Sequence, residues 1–319
     1  MSKYILDFEK PIKILEDKIK LMEESNLNSG INSDQTINNL KAQLLREKKN
    51  IYSNLSRWEK VQLARHPDRL HSSDYIKNIT DNWIELHGDR KFSDDHSIIS
   101  GIGLINNNKY AIIGQEKGKN TKDKVYRNFG MAKPEGYRKA LRIMQLAEKF
   151  NIPIITFIDT PGAYPGIGAE ERGQSEAIAD NLMKMSLLNV PILSIIIGEG
   201  ASGGALAIGL ADKIICLEHS WYSVISPEGC ASILFGDTMK NKEAAESLKL
   251  TSNDLYEMNI ADKIIPEPLG GVQHDPQETY KSVKDTIYTE MKYLNNLTKK
   301  QLIEERMNKY NNIGIYTDE

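Results

Sequence analysis

The segment "IIIGEGASGGALAIG", residues 195–209, carries three chemical signatures at once. Gly198, Gly200 and Gly203 spell G-x-G-x-x-G, the dinucleotide fingerprint, while Gly200 to Gly204 spell G-x-S-x-G, the nucleophile elbow of serine hydrolases. The third signature needs only backbone. An apolar strand that turns through glycines into a helix leaves unpaired N–H groups at the positive end of the helix dipole. Gly203 and Gly204 have no side chains, so a substrate carbonyl can approach those donors closely. Such a turn stabilises an oxyanion or enolate without a general acid.

Each reading makes its own demands on the rest of the chain. For a dinucleotide, "VPILSIII" supplies the strand and Glu218 the acid at the end of the next one. Against it, the stretch from Gly203 to Lys213 is short for a Rossmann crossover, and the fingerprint follows two other strand units. A phosphate loop fails twice: Gly168 to Ser175 has the spacing but Gln174 in place of lysine, and Gly114 to Lys119 has too few spacers. "DTPG" (159–162) resembles a GTPase switch turn but has no phosphate loop to act with. A hydrolase built on Ser202 needs a base and an acid later in the chain. His219 and His274, with Asp212, Asp237 and Asp262, are available. Otherwise the Ser202 hydroxyl is expected to cap the helix that follows. "DTPGAYPG" (159–166) is built like the opening segment, so two glycine-rich turns end two buried strands.

The elements that must hold these turns follow from hydrophobic period. Residues 11–24 read as a helix, "SNLNSGINSDQ" as a connector, and the stripe Ile37, Leu40, Leu44, Ile51, Leu55, Trp58 as one long helix from Thr36 to about Arg65. Pro67 stops it, and a further helix is expected over 72–87. "SIISGIGLINNNKYAIIGQEKG" predicts a hairpin around Asn106 to Lys109. Gly136–Phe150 and Glu170–Ser186 are expected helices, and "IPIITFID", "VPILSIIIG" and "KIICLE" are strands, the first two of a type buried on both faces. The remainder reads as mainly helical to about 260, with a short strand in "ADKIIPEPLGG" and a polar last helix over about 276–308 that trails off. The core is therefore α/β.

Composition narrows the classes. A net charge of −3, with 40% hydrophobic and 27% charged residues, describes an ordinary globular chain and excludes nucleic-acid binding by bulk electrostatics. No apolar run approaches the ~20 residues of a membrane span. "MSKYILDFEKPIKILEDK" lacks the apolar region of a secretory signal. Cys216 and Cys230 form no metal or disulfide pattern, so no metal site is expected and an intracellular location is.

"FIDTPGAYPGIGAEERGQSEAIADNL", "IIGEGASGGALAIG", "YSVISPEGCASILF" and "IIPEPLGG" resemble the carboxyltransferase alpha subunits of bacterial and plastid acetyl-CoA carboxylase, as do "ELHGDRKFSDD" and "RNFGMAKPEGYRKALRIMQLAEKF". The resemblance runs from about residue 4 to 310. It implies a crotonase-like fold of repeated β–β–α units, with a helical extension over 1–90, the core over 91–295 and a helical tail over 296–319. It also implies transfer of carboxyl from carboxybiotin, on a biotin carboxyl carrier protein, to acetyl-CoA, giving malonyl-CoA for fatty-acid synthesis. The implied partners are a zinc-containing beta subunit in an α2β2 assembly and an ATP-dependent biotin carboxylase; the implied location is bacterial cytoplasm or plastid stroma. No cofactor would be bound covalently by this chain.

By the same resemblance Gly203 and Gly204 are the catalytic donors, facing the ureido oxygen of biotin. Gly162, Ala163 and Tyr164 would line the facing wall, with Gly166, Gly200, Ser202 and Ala205 beside the substrate. Among the basic residues of "QEKGKNTKDKVYRN", Lys117 and Lys119 are the candidates to meet CoA phosphates or carboxylates. Two positions depart from the family pattern: Ala201 stands where glycine is usual, and Gln115 where many members have histidine.

Overall fold

The computed structural model describes residues 4–29 and 34–314. The chain opens with helices α1 (Lys10–Ser29), α2 (Asp34–Ser53), α3 (Arg57–Ala64) and α4 (Ser72–Ile79). The expected long helix is broken between Ser53 and Arg57 because Ser56 starts a new one: its hydroxyl accepts from Glu59 N and the Glu59 carboxylate accepts from Ser56 N. The expected helix over 72–87 also ends early. Residues Asp81–Glu85 form edge strand β1, entered through left-handed Asn82, and Trp83 and Ile84 suit a strand better than a helix. The expected connector is shorter than its composition suggests, since α1 runs to Ser29; residues 30–33 lie outside the described ones.

Strands β2 (Ile98–Ile105) and β3 (Asn108–Gln115) form the predicted hairpin. Its turn is Asn106-Asn107, both left-handed at φ 49° and 63°, the pair that a twisted two-residue turn requires. After α5 (Thr121–Tyr126) and α6 (Pro134–Lys149) comes β4 (Ile154–Thr160). The next expected helix is split into α7 (Ile167–Glu171) and α8 (Gln174–Leu187) by Gly173, whose φ of 80° interrupts the helical path. Strand β5 (Ile192–Ala201) leads straight into α9 (Ser202–Gly209), followed by β6 (Lys213–Leu217) and the three-residue β7 (Trp221–Ser223), which periodicity does not announce. Helices α10 (Pro227–Phe235), α11 (Asn241–Leu248) and α12 (Ser252–Glu257) precede β8 (Lys263–Ile265), and α13 (Pro276–Leu294) and α14 (Lys299–Asn311) close the chain.

All eight strands form one sheet in the order β1-β2-β3-β4-β5-β6-β8, with β7 pairing the far end of β5. From β3 onward the pairs are parallel. Every residue of β4 and β5 is buried, as their unbroken apolar runs require. Ile154, Ile158, Ile192 and Ile196 face Tyr137, Met144 and Met185 of α6 and α8. Ile155, Phe157, Leu193 and Ile195 face Tyr75, Ile76, Val283 and Ile287 of α4 and α13.

The expected last helix over about 276–308 is two, broken after Leu294, and it does not trail off. Thr298 caps α14, and Arg306 on it is 1% exposed. Its guanidinium meets both carboxylate oxygens of Asp212 at 2.8 and 2.9 Å and donates to the carbonyls of Met185, Leu188 and Val190.

Candidate active site

The two glycine-rich turns lie side by side because β4 and β5 are parallel neighbours, with Thr160 opposite Gly200. Beyond β4 the chain turns at Gly162, whose φ of 145° suits glycine. Thr160 Oγ1 accepts from Gly162 N at 3.1 Å and donates to Gly130 O at 2.7 Å, while Tyr164 N donates to Ala132 O at 3.0 Å. Beyond β5 the chain enters α9 with no linker, and the first-turn N–H groups of that helix have no intrahelical acceptor.

The two turns touch through Gly204. A Cβ placed there would stand 2.9 Å from Gly162 O and closer still to Ala163 N. Gly203 differs: a Cβ would meet only Ile178, at 3.7 Å, and one on Gly162 would meet nothing within 4 Å. Open space therefore lies over Gly203 and Gly162, while Gly204 is the point of contact.

Ser202 does not cap α9. It is exposed, makes no side-chain cap, and itself adopts the left-handed conformation at φ 58°. The hydrolase reading finds no machinery around it. Among the described residues no hydrogen bond joins Ser202 to a histidine or a carboxylate; Asp212 is held by Arg306, Asp262 by Lys309, and Asp237 caps a short turn. Glu218, the acid of the dinucleotide reading, accepts from Glu267 N instead. Ala201 carries no strain, with φ −106°, and its methyl is buried against Val61, Ala64, Trp221 and Leu250.

The other predicted residues divide. Ala163 N lies beside Gly204 of α9, and the Lys133 ammonium stands 5.2 Å over the Tyr164 ring. Gly166 lies under that ring, and Gly200 under the ring of Tyr222, so both glycines make room for an aromatic side chain. Ala205 is fully buried. Lys119 stays exposed and pairs with Asp74. Lys117, expected to reach for phosphate or carboxylate groups of CoA, points inward: its ammonium sits between Asp159 at 2.7 Å and Glu199 at 2.6 Å.

That pair belongs to a buried charge cluster that the motif search does not reveal. Arg65 from the end of α3 joins Glu199 to Glu228, and His71 Nδ1 lies 3.3 Å from Asp159. Asp159 Oδ1 also accepts from Glu199 N at 3.0 Å. Burial pushes the Asp159 carboxyl upward, but Lys117 and His71 outweigh it and hold the group well below the usual carboxylate range. Burial pulls the Lys117 ammonium down, and Asp159 and Glu199 more than reverse this. The signal was present in part: Asp159 and Glu199 are acids at the ends of otherwise apolar buried strands, where an unpaired charge is untenable. Their cationic partners are too distant in sequence for spacing to show.

Gln115, at the end of β3, is fully buried and bridges the two turns. Its Oε1 accepts from Asp159 N at 3.1 Å and its Nε2 donates to Gly204 O at 2.7 Å.

The chain has relatives among known proteins. Residues 5–314 match the family model described as acetyl co-enzyme A carboxylase carboxyltransferase-like. Proteins named acetyl-coenzyme A carboxylase carboxyl transferase subunit alpha are 52% identical in Staphylococcus saprophyticus, over 98% of this chain and 100% of that one. The Flavobacterium johnsoniae protein of the same name is 52% identical over 98% and 99%. Among solved structures, the transcarboxylase 12S core with methylmalonyl-coenzyme A bound aligns with a TM-score of 0.56 at 19% identity, covering 69% of this chain and 41% of that one. A Pseudomonas malonate decarboxylase hetero-tetramer in complex with coenzyme A aligns with 0.56 at 13%, covering 68% and 86%. These likenesses give the fold, which is that of the crotonase-like carboxyltransferases. With identity over almost its whole length, the chain belongs to the acetyl-CoA carboxylase carboxyltransferase alpha-subunit family.

Proposed function

We propose that the chain is the alpha half of a carboxyltransferase that makes malonyl-CoA from acetyl-CoA and carboxybiotin for fatty-acid synthesis, with backbone N–H groups as its main catalytic device. The observation that carries this is the first turn of α9, bare of side chains at Gly203 and Gly204 and facing open space over Gly203 and Gly162. That space fits a flat carbonyl group and the donors fit one that gains negative charge.

Carboxybiotin, arriving as a substrate on its carrier protein, supplies the carboxyl group and afterwards a ureido nitrogen basic enough to take the acetyl proton. The Gly203 and Gly204 N–H groups hold the negative charge that grows on the ureido oxygen when the carboxyl group leaves. Ala163 and Tyr164 line the opposite wall and keep water from the charge. The donors for the thioester oxygen come from a zinc-containing beta subunit, in an α2β2 assembly that works with a biotin carboxylase. An exposed apolar patch supports such a partner: Val224, Ile233, Leu234 and Met239 are uncovered on the segment after β7, which pairs with Gly200 and Ala201. No helix among the described residues is long and apolar enough to cross a membrane.

The test is malonyl-CoA-dependent carboxylation of free biotin. The chain alone is expected to be inactive and the chain mixed with its beta subunit active. Full activity of the isolated chain contradicts a shared site.

A further inference from the structure

The side-chain amide of Gln115 bonds two backbone groups, one at the end of β4 and one in the first turn of α9. Asp159 N–H can only donate and the Gly204 carbonyl can only accept, so the amide's orientation is fixed by its partners. The Gln115 backbone carbonyl in turn accepts from Ser72 Oγ at 2.6 Å, which anchors the end of β3 to α4. The Gly204 carbonyl and the Ala205 N–H are two ends of one peptide group in the first turn of α9. That N–H is not one of the Gly203 and Gly204 donors, so the bond to the carbonyl acts on those donors by holding the first turn of α9 in place. It also sets how α9 is rotated against the β4 turn, which begins where Asp159 ends its hydrogen bond to Gln115.

We infer that Gln115 is a positioning residue for carboxyl transfer: it acts through Gly204 and Asp159, fixing the separation of the two turns and the aim of the α9 donors. This rests on the catalytic reading given above. Because an amide does not titrate, the bridge holds at any pH. Around it lie Asp159 on β4, Glu199 on β5, Glu116 and Lys117 immediately after it, and His71 before α4. All are tied into other bonds, Glu116 by accepting from Ser73 N and Gly118 N.

Two variants of nearly unchanged shape test it in the reconstituted pair. Gln115→Met loses both bonds, and kcat is expected to fall by roughly 100-fold, the scale of a misplacement of about 1 Å, while KM for malonyl-CoA stays within about threefold. Gln115→Glu can replace both bonds only while protonated, because an ionised carboxylate cannot donate to the Gly204 carbonyl. Burial raises the pKa of the introduced carboxyl. Its kcat is therefore expected to approach wild type at the acid end of the range and to drop as the carboxyl ionises, a step absent from the wild-type profile. A Gln115→Glu profile parallel to wild type, or a folded Gln115→Met with kcat within about twofold of wild type, overturns the inference while leaving carboxyl transfer standing. If Gln115→Met does not fold, the Gln115→Glu profile decides alone. A wild-type pair that transfers no carboxyl group overturns both.

Discussion

Gly204 presses on Gly162 so closely that a Cβ on the former would stand 2.9 Å from the carbonyl oxygen of the latter, while the neighbouring Gly203 has free space before it. The two adjacent glycines therefore answer substitution differently. Gly203→Val is expected to fold with a melting temperature near wild type and to lose roughly 100- to 1,000-fold in kcat, because the new side chain covers the donors. Gly204→Ala forces the turns apart and is expected to cost about 1–3 kcal/mol or more in stability. Thermal melts beside the biotin carboxylation rate separate the two effects; an active Gly203→Val removes the backbone-donor account.

Ser202 occupies left-handed backbone with an exposed side chain. An L-residue held there is strained by roughly 1–2 kcal/mol, against which glycine adds about 0.5–1 kcal/mol of unfolded-state freedom. Ser202→Gly is accordingly expected to gain about 0.5–1 kcal/mol in urea titrations. Ser202→Ala should keep carboxyl transfer within a few-fold, and abolition of all activity in a folded Ser202→Ala would bring back the nucleophile elbow.

Lys117 separates two buried carboxylates. Lys117→Met is expected to cost about 3–5 kcal/mol, the usual penalty for leaving a buried charge without its partner. The pH dependence has a definite sign. Asp159 has its folded pKa depressed, so its contribution is in place above the unfolded value of about 3.9 and is lost as pH falls through the folded one. Without Lys117 that folded value rises toward or past the unfolded one, so less of the variant's stability is lost on acidification and its deficit against wild type should shrink as pH falls below about 4. Denaturant midpoints measured from pH 3 to 7 read this directly; a deficit as large at pH 3 as at pH 7 would show that Lys117 does not hold Asp159 ionised.

Arg306 and Asp212 form a buried pair whose halves depend on one another. Burial raises the Asp212 carboxyl even against the pull of Arg306. Arg306→Met should therefore lose about 3–5 kcal/mol, and adding Asp212→Asn should recover part of the loss by removing the stranded charge. A double variant less stable than the single one would place the energy in the carbonyl contacts of Arg306 instead.

The strands β4 and β5 were legible because "IPIITFID" and "VPILSIII" are apolar without alternation, and the hairpin because three asparagines interrupt two β-rich runs. The breaks were not. Leu55 and Trp58 continue the apolar stripe of α2 across a real interruption, and only the Ser56–Glu59 pair marks it. Strands β1 and β7 are short and lie at the margins of the sheet, where few residues carry the period. At the site, the glycine types showed what could approach, but the contact of Gly204 with Gly162 depends on strand order, which one sequence does not specify. Lys117 was read from its charge and its loop; its direction was decided by Asp159 and Glu199, two strands away.

Arg65 and Arg69 come from the helical segment ahead of the sheet, yet they neutralise Glu199 near the end of β5 and Glu267 in the loop after β8. Arg69 also donates to the carbonyl of Ile197, in the middle of β5. The segment over 1–90 is consequently not a detachable module. A foreign leader joined at residue 90 would take β1 from the edge of the sheet, leave Glu267 without Arg69, and leave Glu199 with Lys117 alone.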